Sequence, residues 1–348
     1  MNLFLNDNDC KTDLLPFTAT RHVSELRIGI LTIREKWKLL LDDHVNFLFT
    51  PTEGIDIVEI PANVIPTKDN FSSIIELSKS SKQLPENDTI RFIHFPWNIF
   101  QLNDFALRKD FDLLTQNRIS AKMHSTNYVV NDKDVFVEEG AALYNCSLNA
   151  STGPIYIGKN ATIMEGSLIR GPFSLGENSV VKMGAKIYGA TTIGPHCIAG
   201  GEIKNSILFE YSNKAHDGYL GDSVIGAWCN LGAGTSNSNV KNTGEEVCFQ
   251  IDLNKKGVKI GNKGGLLMGD YSRSAINTCF NTGSTIGVCC NIFTQGFPKK
   301  HLPHFSWGNE KYKLEKAFRD IDNWKKMKNK NITLEEKELL TTLFSTNK

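Results

Sequence analysis

Residues 199–224 gather side chains able to do acid–base and phosphate chemistry: Glu202, Lys204, Asn213, Lys214, His216, Asp217 and Tyr219. An imidazole titrates near neutrality and can take the proton of an attacking group. An ammonium grips phosphate as a compact point charge, while phenol and carboxamide groups orient hydroxyls by hydrogen bonds. Zinc chemistry fits less well, because His196 and His216 stand 20 residues apart with no third histidine close by and a catalytic zinc wants three suitably spaced ligands. Sequence rules tend to fail where a site has been built, and the rule that fails here is a repeat.

From Ile157 to Ile193 an aliphatic residue returns at every sixth position: Ile157, Ile163, Ile169, Leu175, Val181, Ile187, Ile193. Glycine follows directly at Gly158, Gly176 and Gly194, and the residue four past the aliphatic is small at Ala161, Ser167, Ser179, Ala185, Thr191 and Cys197. A period of six suits neither an amphipathic helix nor a strand meander. It is the period of a parallel β-helix, each hexad supplying one short strand and a corner. The rhythm falters after Ile193 and resumes, out of phase, at Ile225-Gly226 and Leu231-Gly232. The chemistry-bearing residues fill that disturbance. A second break, 236–259, is expected to project as a loop or hairpin, with coils returning through 260–261, 267–269 and 286–287.

A chain of 348 residues has room for more than one core. Residues 1–125 read as an α/β domain, with strands expected at 3–5, 45–49, 55–60 and 90–95, helices at 27–41 and 104–114, and a surface helix plus loop across 66–82. Residues 126–300 are assigned to the β-helix and 301–348 to a helical extension. That extension should hold a helix over 312–328 and another opened by the capping-box pattern Thr333-Leu-Glu-Glu336, packed on the coil or over its open end. Charge is balanced at 39 basic and 38 acidic residues, which gives no electrostatic case for nucleic acid or an anionic membrane as partner. The eight cysteines lack CxxC spacing. Cys146, Cys197 and Cys229 fall where small core residues belong, so they read as reduced, packed thiols. The first eleven residues do not resemble a signal peptide, and no apolar run approaches the ~20 residues of a membrane span. The expected setting is cytoplasmic.

Glu202-Ile-Lys204, Lys214-Ala-His216-Asp-Gly-Tyr219-Leu-Gly-Asp222, Ile225-Gly, Asn230-Leu-Gly-Ala233-Gly-Thr235 and Asn239 together resemble the acetyltransferase domain of the bifunctional N-acetylglucosamine-1-phosphate uridyltransferase/glucosamine-1-phosphate acetyltransferase family. The intervals from Lys204 to His216, Tyr219, Asn230 and Asn239 agree with the family pattern, and the likeness covers roughly residues 135–291. The whole chain is similar to a subgroup of sugar-nucleotidyltransferase-like proteins with a short, altered N-terminal domain, through Leu15-Pro-Phe-Thr-Ala-Thr-Arg21, Arg27-Ile-Gly-Ile-Leu-Thr-Ile-Arg-Glu-Lys-Trp37 and Val181-Lys-Met-Gly-Ala-Lys-Ile-Tyr188.

The resemblance implies a reduced nucleotidyltransferase-like α/β domain followed by a left-handed parallel β-helix of hexapeptide repeats, three hexads per turn, and C-terminal helices. It implies a homotrimer with active sites between subunits, and transfer of an acetyl or acyl group from acetyl-CoA to a phosphorylated or nucleotide-linked amino sugar. His216 would be the general base, and Asn239 would contact the reacting group or steady His216. Lys204 would hold phosphate, with Tyr219 and Asn230 orienting the sugar. The family's phosphate-clamping arginine has Arg170, Lys182 and Lys186 as nearby basic alternatives. Backbone N–H groups at Ala233 and Gly234 would face the thioester oxygen, and the pantetheine arm would run beside 267–270 and 285–288, meeting Asp270 and Val288. The chain departs from the pattern at Val240, where tyrosine is expected, and at Asp270, where a small hydroxyl residue is expected.

Nucleotidyltransferases of this superfamily open with a strand and a Gly-rich phosphate loop. Residues 5–16 contain no glycine, and Asp7, Asp9 and Asp13 would repel a triphosphate. Thr18, Thr20 and Arg21 match, but His22-Val23 replaces the expected Pro-Lys. Mg²⁺ is required only if nucleotidyl transfer is retained. Two other functions remain open: a UTP- or dTTP-dependent sugar-1-phosphate nucleotidyltransferase, and a non-catalytic scaffold or regulator that binds sugar nucleotides.

Overall fold

In the computed structural model, residues 1–41, 45–50, 56–80, 82–252 and 256–346 are described. The hexads close into a three-walled parallel β-helix. Ile157 pairs with Leu175 and Leu175 with Ile193, while Ile163 pairs with Val181 and Val181 with Ala199. Equivalent residues thus lie three hexads apart, and the sequence repeat is the register. Wall 1 comprises Tyr128–Val130, Ser147–Asn149, Leu168–Arg170, Lys186–Tyr188, Glu202–Lys204 and Tyr219–Gly221. Wall 2 runs from Val135–Val137 to His301–Leu302, and wall 3 from Ala142–Leu143 to an antiparallel last strand, Glu310–Lys311. The repeating aliphatics stack inside, with Ile157, Ile163, Leu175 and Val181 wholly buried. Each contributes about 1.5–3 kcal/mol of burial. Cys146, Cys197 and Cys229 fill small positions of the same core.

The second break behaves otherwise than expected. Ser236–Asn237 keeps coil geometry and pairs with Cys279–Phe280. Beyond it, a hairpin of Cys248–Phe249 and Val258–Lys259 folds back instead of projecting, because its aromatic finds an apolar partner. Phe249 is buried and stacks on Trp97 with ring centroids 5.7 Å apart. Ile260 and Gly261 belong to this excursion and not to a returning coil, since both bond to the backbone of Val247.

The N-terminal region holds a parallel sheet in the order Asn46–Leu48, Asn2–Asn6, Ile57–Pro61; Ile55 of the expected strand lies outside the described residues. Its helices are α1 (Ile33–Leu40), α2 (Phe71–Lys79), α3 (Asn98–Gln101) and α4 (Asn103–Thr115). Two expectations need correction. Residues 27–32 form a hairpin, Arg27–Ile28 against Leu31–Thr32, because Gly29 turns the chain at φ 74; α1 starts only at the Thr32/Glu35 capping box. Residues 90–95 give a single bridge, Val64 to Phe92, because the Asn98 carboxamide takes the N–H groups of His94 and Phe95 and turns the chain into α3.

This region docks on wall 2, where Ile207, Phe209, Val224 and Leu267 join its core. Asn103 Nδ2 donates to the Ala190 carbonyl at 2.7 Å, and Thr192 Oγ1 to that of Gly29 at 2.9 Å. Two helices end the chain, α5 (Leu314–Lys326) and α6 (Leu334–Thr346), the latter opened by the expected Thr333/Glu336 capping box. They pack on the coil along the corner between walls 2 and 3, burying Tyr271, Cys289 and Phe305 against Ala317, Ile321 and Leu340. On wall 1, Tyr128, Leu168, Arg170 and Lys186 remain exposed. No helix among the described residues is long and apolar enough to cross a membrane.

Candidate active site

The disturbed stretch puts a cation where the coil calls for an aliphatic. Lys214 pairs with Ala199 on wall 3 and is 2% exposed, so its ammonium sits inside the corner leading from wall 3 to wall 1. There it donates to the carbonyls of Gly200, at 3.2 Å, and His216. The corner closes this tightly because Gly200 and Gly201 lie against it. A Cβ on Gly201, at φ 71, would fall 2.7 Å from the His216 carbonyl oxygen. Gly201→Val is expected to cost about 2 kcal/mol or more, read as a lower urea midpoint; an unchanged midpoint would refute this packing. The His216 side chain itself is exposed, and no described residue hydrogen-bonds it.

Burial lowers the Lys214 pKa to about 8, against the opposing attraction of Asp217. Between about 8 and the ordinary 10.5, the unfolded chain holds a proton that the folded chain has released. This group's contribution to stability therefore rises with pH across that window. Lys214→Met should remove the rise, so the stability difference between variant and parent should change from pH 7.5 to 9.5, as measured by urea unfolding. A constant difference would show that Lys214 is not the titrating group.

Beyond the corner, wall 1 presents a connected polar face. Glu202 pairs with Tyr219 and Lys204 with Gly221, and the Tyr219 ring folds over Gly221, where a Cβ would meet the phenol oxygen at 2.3 Å. Asn239 Nδ2 donates to that oxygen at 3.1 Å and to Asp222. The second Asp222 oxygen accepts from Asn205 Nδ2 at 2.7 Å. Asp222 is buried, and a carboxylate only accepts, so it turns the Asn239 amide nitrogen inward and leaves the carbonyl oxygen as the outward acceptor. Burial, then Asp222, holds the Tyr219 phenol well above its ordinary pKa, which keeps it a neutral donor. The Tyr188 hydroxyl donates to Glu202 at 2.6 Å, and that bond pushes its pKa up to about 12.

Lys204, Tyr219 and Asn239 thus come together, with Lys186 and Arg170 lower on the same wall. His216 stands at the corner entering the Tyr219 strand, and the corner of Ala233 and Gly234 stacks on it through Gly234 N–H donating to the Asp217 carbonyl at 3.1 Å. That bond occupies the Gly234 N–H. The Ala233 N–H makes no hydrogen bond among the described residues.

Other expected positions lie apart. Asn239 bonds at the far end of the Tyr219 strand and does not steady His216. Asn230 is on wall 3, paired with Asn213 and Arg273. Asp270 and Val288 lie buried along the corner between walls 2 and 3. Asp270 accepts from Thr20 at 2.5 Å, from the Arg21 guanidinium and from Ala227 N–H at 2.8 Å, while Val288 is under the C-terminal helices. With Leu267 covered as well, the expected pantetheine path is closed by the docked N-terminal region and helices.

The sequence reading assigned no role to Lys214, Asn205, Asp222 or the Gly200-Gly201 pair. Lys214 falls in neither the hexad phase that ends at Ile193 nor the one that resumes at Ile225, so its inward slot shows only in its pairing with Ala199. In the N-terminal region Arg21 also reaches Glu210, at 3.3 Å. Burial works against its charge, but Asp270 and Glu210 hold its pKa above the ordinary value. Asp7 is buried and accepts the Val23 N–H at 3.3 Å, so it serves local packing. Among the described residues no group of three or more His, Cys, Asp or Glu is placed to hold a metal ion.

Residues 3–52 match the family model described as sugar nucleotidyl transferase. The bifunctional protein GlmU of Methanococcus maripaludis strain C5 is 32% identical over 244 residues, which are 65% of this chain and 50% of that protein. The bifunctional sugar-1-phosphate nucleotidylyltransferase/acetyltransferase of Sulfurisphaera tokodaii is 36% identical over 98 residues, 27% of this chain and 23% of that protein. The chain spans about half the length of the curated GlmU relatives it matches over most of its own length. The solved polySia specific acetyltransferase NeuO aligns at 14% identity and a TM-score of 0.28, over 52% of this chain and 76% of that one, a likeness that bears no weight for function. The chain is thus similar in sequence to bifunctional GlmU proteins over about two thirds of its own length, and at residues 3–52 to the sugar nucleotidyl transferase model.

Proposed function

We propose that this chain transfers an acetyl or related acyl group from coenzyme A to the amine of a phosphorylated or nucleotide-linked amino sugar, with His216 as general base. The observation that carries this reading is the exposed His216 imidazole at the corner of the wall that presents Lys204, Tyr219 and Asn239. In this scheme Lys204 takes a phosphate, the neutral Tyr219 donates to the sugar, and the Asn239 carbonyl accepts from the acceptor. The amine attacks the thioester carbonyl as His216 takes its proton. The oxyanion meets the Ala233 N–H, a role worth ~3 kcal/mol. Collapse breaks the C–S bond, and the proton on His216 passes to the departing thiolate.

The acyl donor would run up the corner of walls 3 and 1, past Ile276 and Phe293, which are 70% and 45% exposed. Asn230, on another wall, would join only across a seam between subunits, so the reading includes a homotrimer; light scattering should give a three-chain mass. The setting we propose is cytoplasmic. Nucleotidyl transfer is disfavoured by the engagement of Arg21 with Asp270 and Glu210, and with it a need for Mg²⁺.

The test is thiol release from acetyl-CoA in the presence of glucosamine 1-phosphate or UDP-glucosamine. Turnover above acetyl-CoA hydrolysis is expected with at least one acceptor. Silence with both, together with pyrophosphate release from UTP or dTTP and a sugar 1-phosphate, would replace acyl transfer by nucleotidyl transfer. Silence in every assay would leave a sugar-nucleotide-binding scaffold.

A further inference from the structure

The corner that carries His216 closes on a charge where the same column of corners elsewhere closes on a hydroxyl. Lower in the column, Ser167 Oγ donates to the Lys182 carbonyl on the coil above, at 3.0 Å. One coil up, Ala185 stands in the place of Ser167 and has no proton to give to the equivalent carbonyl, that of Gly200. Lys214 Nζ takes that carbonyl instead, at 3.2 Å, and the His216 carbonyl with it. No other described group donates to either oxygen.

Packing does not ask for this lysine. In the inward column of wall 3, Val181 pairs with Ala199 and Ala199 with Lys214, and Leu231 is the inward residue of the strand above. Val181 and Leu231 show that the column closes on hydrocarbon, while the small Ala199 leaves room for the lysine stem. A buried cation lowers stability unless it is paired, and no carboxylate makes a salt bridge with Lys214 among the described residues. The His216 side chain is exposed and has no described partner, so its place depends on the backbone beneath it. Gly234 N–H holds that backbone from above, through the Asp217 carbonyl at 3.1 Å; Lys214 holds it from within.

We propose that Lys214 is a positioning residue for the base: by tying the His216 carbonyl to that of Gly200, it fixes the backbone from which the imidazole projects. This rests on the acyl-transfer reading above and adds to it a residue that never meets the acceptor. A base must stand within hydrogen-bond reach of the proton it takes, and a misplacement of about 1 Å costs on the order of 10²-fold in rate.

Lys214→Met fills the slot without donors, and a melting curve on the same preparation reports its fold. Its kcat for thiol release from acetyl-CoA should fall about 10- to 100-fold, with glucosamine 1-phosphate or UDP-glucosamine as acceptor, whichever turns over. The acceptor's KM, set by Lys204 and Tyr219, should hold. Placed in His216→Ala, the same substitution should lower kcat little further, because its effect passes through the imidazole. Lys214→Gln, whose amide can still donate, should keep more activity than Lys214→Met. Hydrogen exchange reads the clamp without turnover: the Gly234 amide should exchange at least about tenfold faster in Lys214→Met, while the Gly176 amide, bonded to the Ile193 carbonyl further down the coil, keeps the parent rate. An unchanged kcat, an equal loss in both backgrounds, or an unchanged Gly234 exchange rate would overturn the positioning role and leave His216 as the base. A parent chain that releases no thiol with either acceptor would sink the acyl-transfer reading, and this role with it.

Discussion

His216→Ala should lower kcat for thiol release by about 10²–10⁴-fold, the range over which a positioned general base acts. The acceptor's KM should move little, because Lys204 and Tyr219, and not the imidazole, hold it. An interaction made mainly in the transition state lowers kcat and kcat/KM together. The pH dependence that a general base imposes on kcat/KM should flatten in the variant. His216 is exposed and bonds to no described residue through its side chain, so its removal should change stability by no more than about 0.5 kcal/mol. Loss of activity can then be separated from loss of fold by a melting curve on the same preparation. Full activity in His216→Ala would end the base assignment, and a rise in KM alone would recast His216 as a binding residue.

Asp110→Ala should destabilise the chain by roughly 3–5 kcal/mol, the cost of leaving a buried charge unpaired. Asp110 ion-pairs with Lys36 between α4 and α1, with the two side chains 3% and 0% exposed. The same carboxylate oxygen accepts the N–H groups of Ile30, at 2.8 Å, and Leu31, at 3.1 Å. Burial pushes the Asp110 pKa up and the Lys36 pKa down, so each group depends on the other to remain charged. Alanine would strand an ammonium and two backbone donors in a dry interior. Lys36→Met with Asp110→Leu should recover much of the loss, since no lone charge is then buried. Urea unfolding of the single and double variants measures this. A single variant as stable as the parent would mean that the pair does not tie α1 to α4. Asn103, at the start of α4, hooks wall 2 through the Ala190 carbonyl, so the loss should extend to the docking of the N-terminal region.

The repeat of six determined, by itself, the coil and its register. Aliphatic side chains returning at that interval, with small residues and glycine at the turns, can stack inwards only if equivalent hexads lie one above another, as Ile157, Leu175 and Ile193 do. Lys204, His216 and Tyr219 lie in the stretch where the repeat is disturbed, so their roles came from the family resemblance; the coil brings them to one wall and the corner before it. Tertiary structure decided what that periodicity cannot encode. Asp270 and Val288 occupy good coil positions, yet the first is taken by Arg21, 249 residues away in sequence, and the second is covered by the final helices. Lys214 turned inwards because two carbonyls at a glycine-lined corner offered its ammonium acceptors. Each outcome depends on which remote segment buries a surface, and a one-dimensional pattern records the burial without naming the partner.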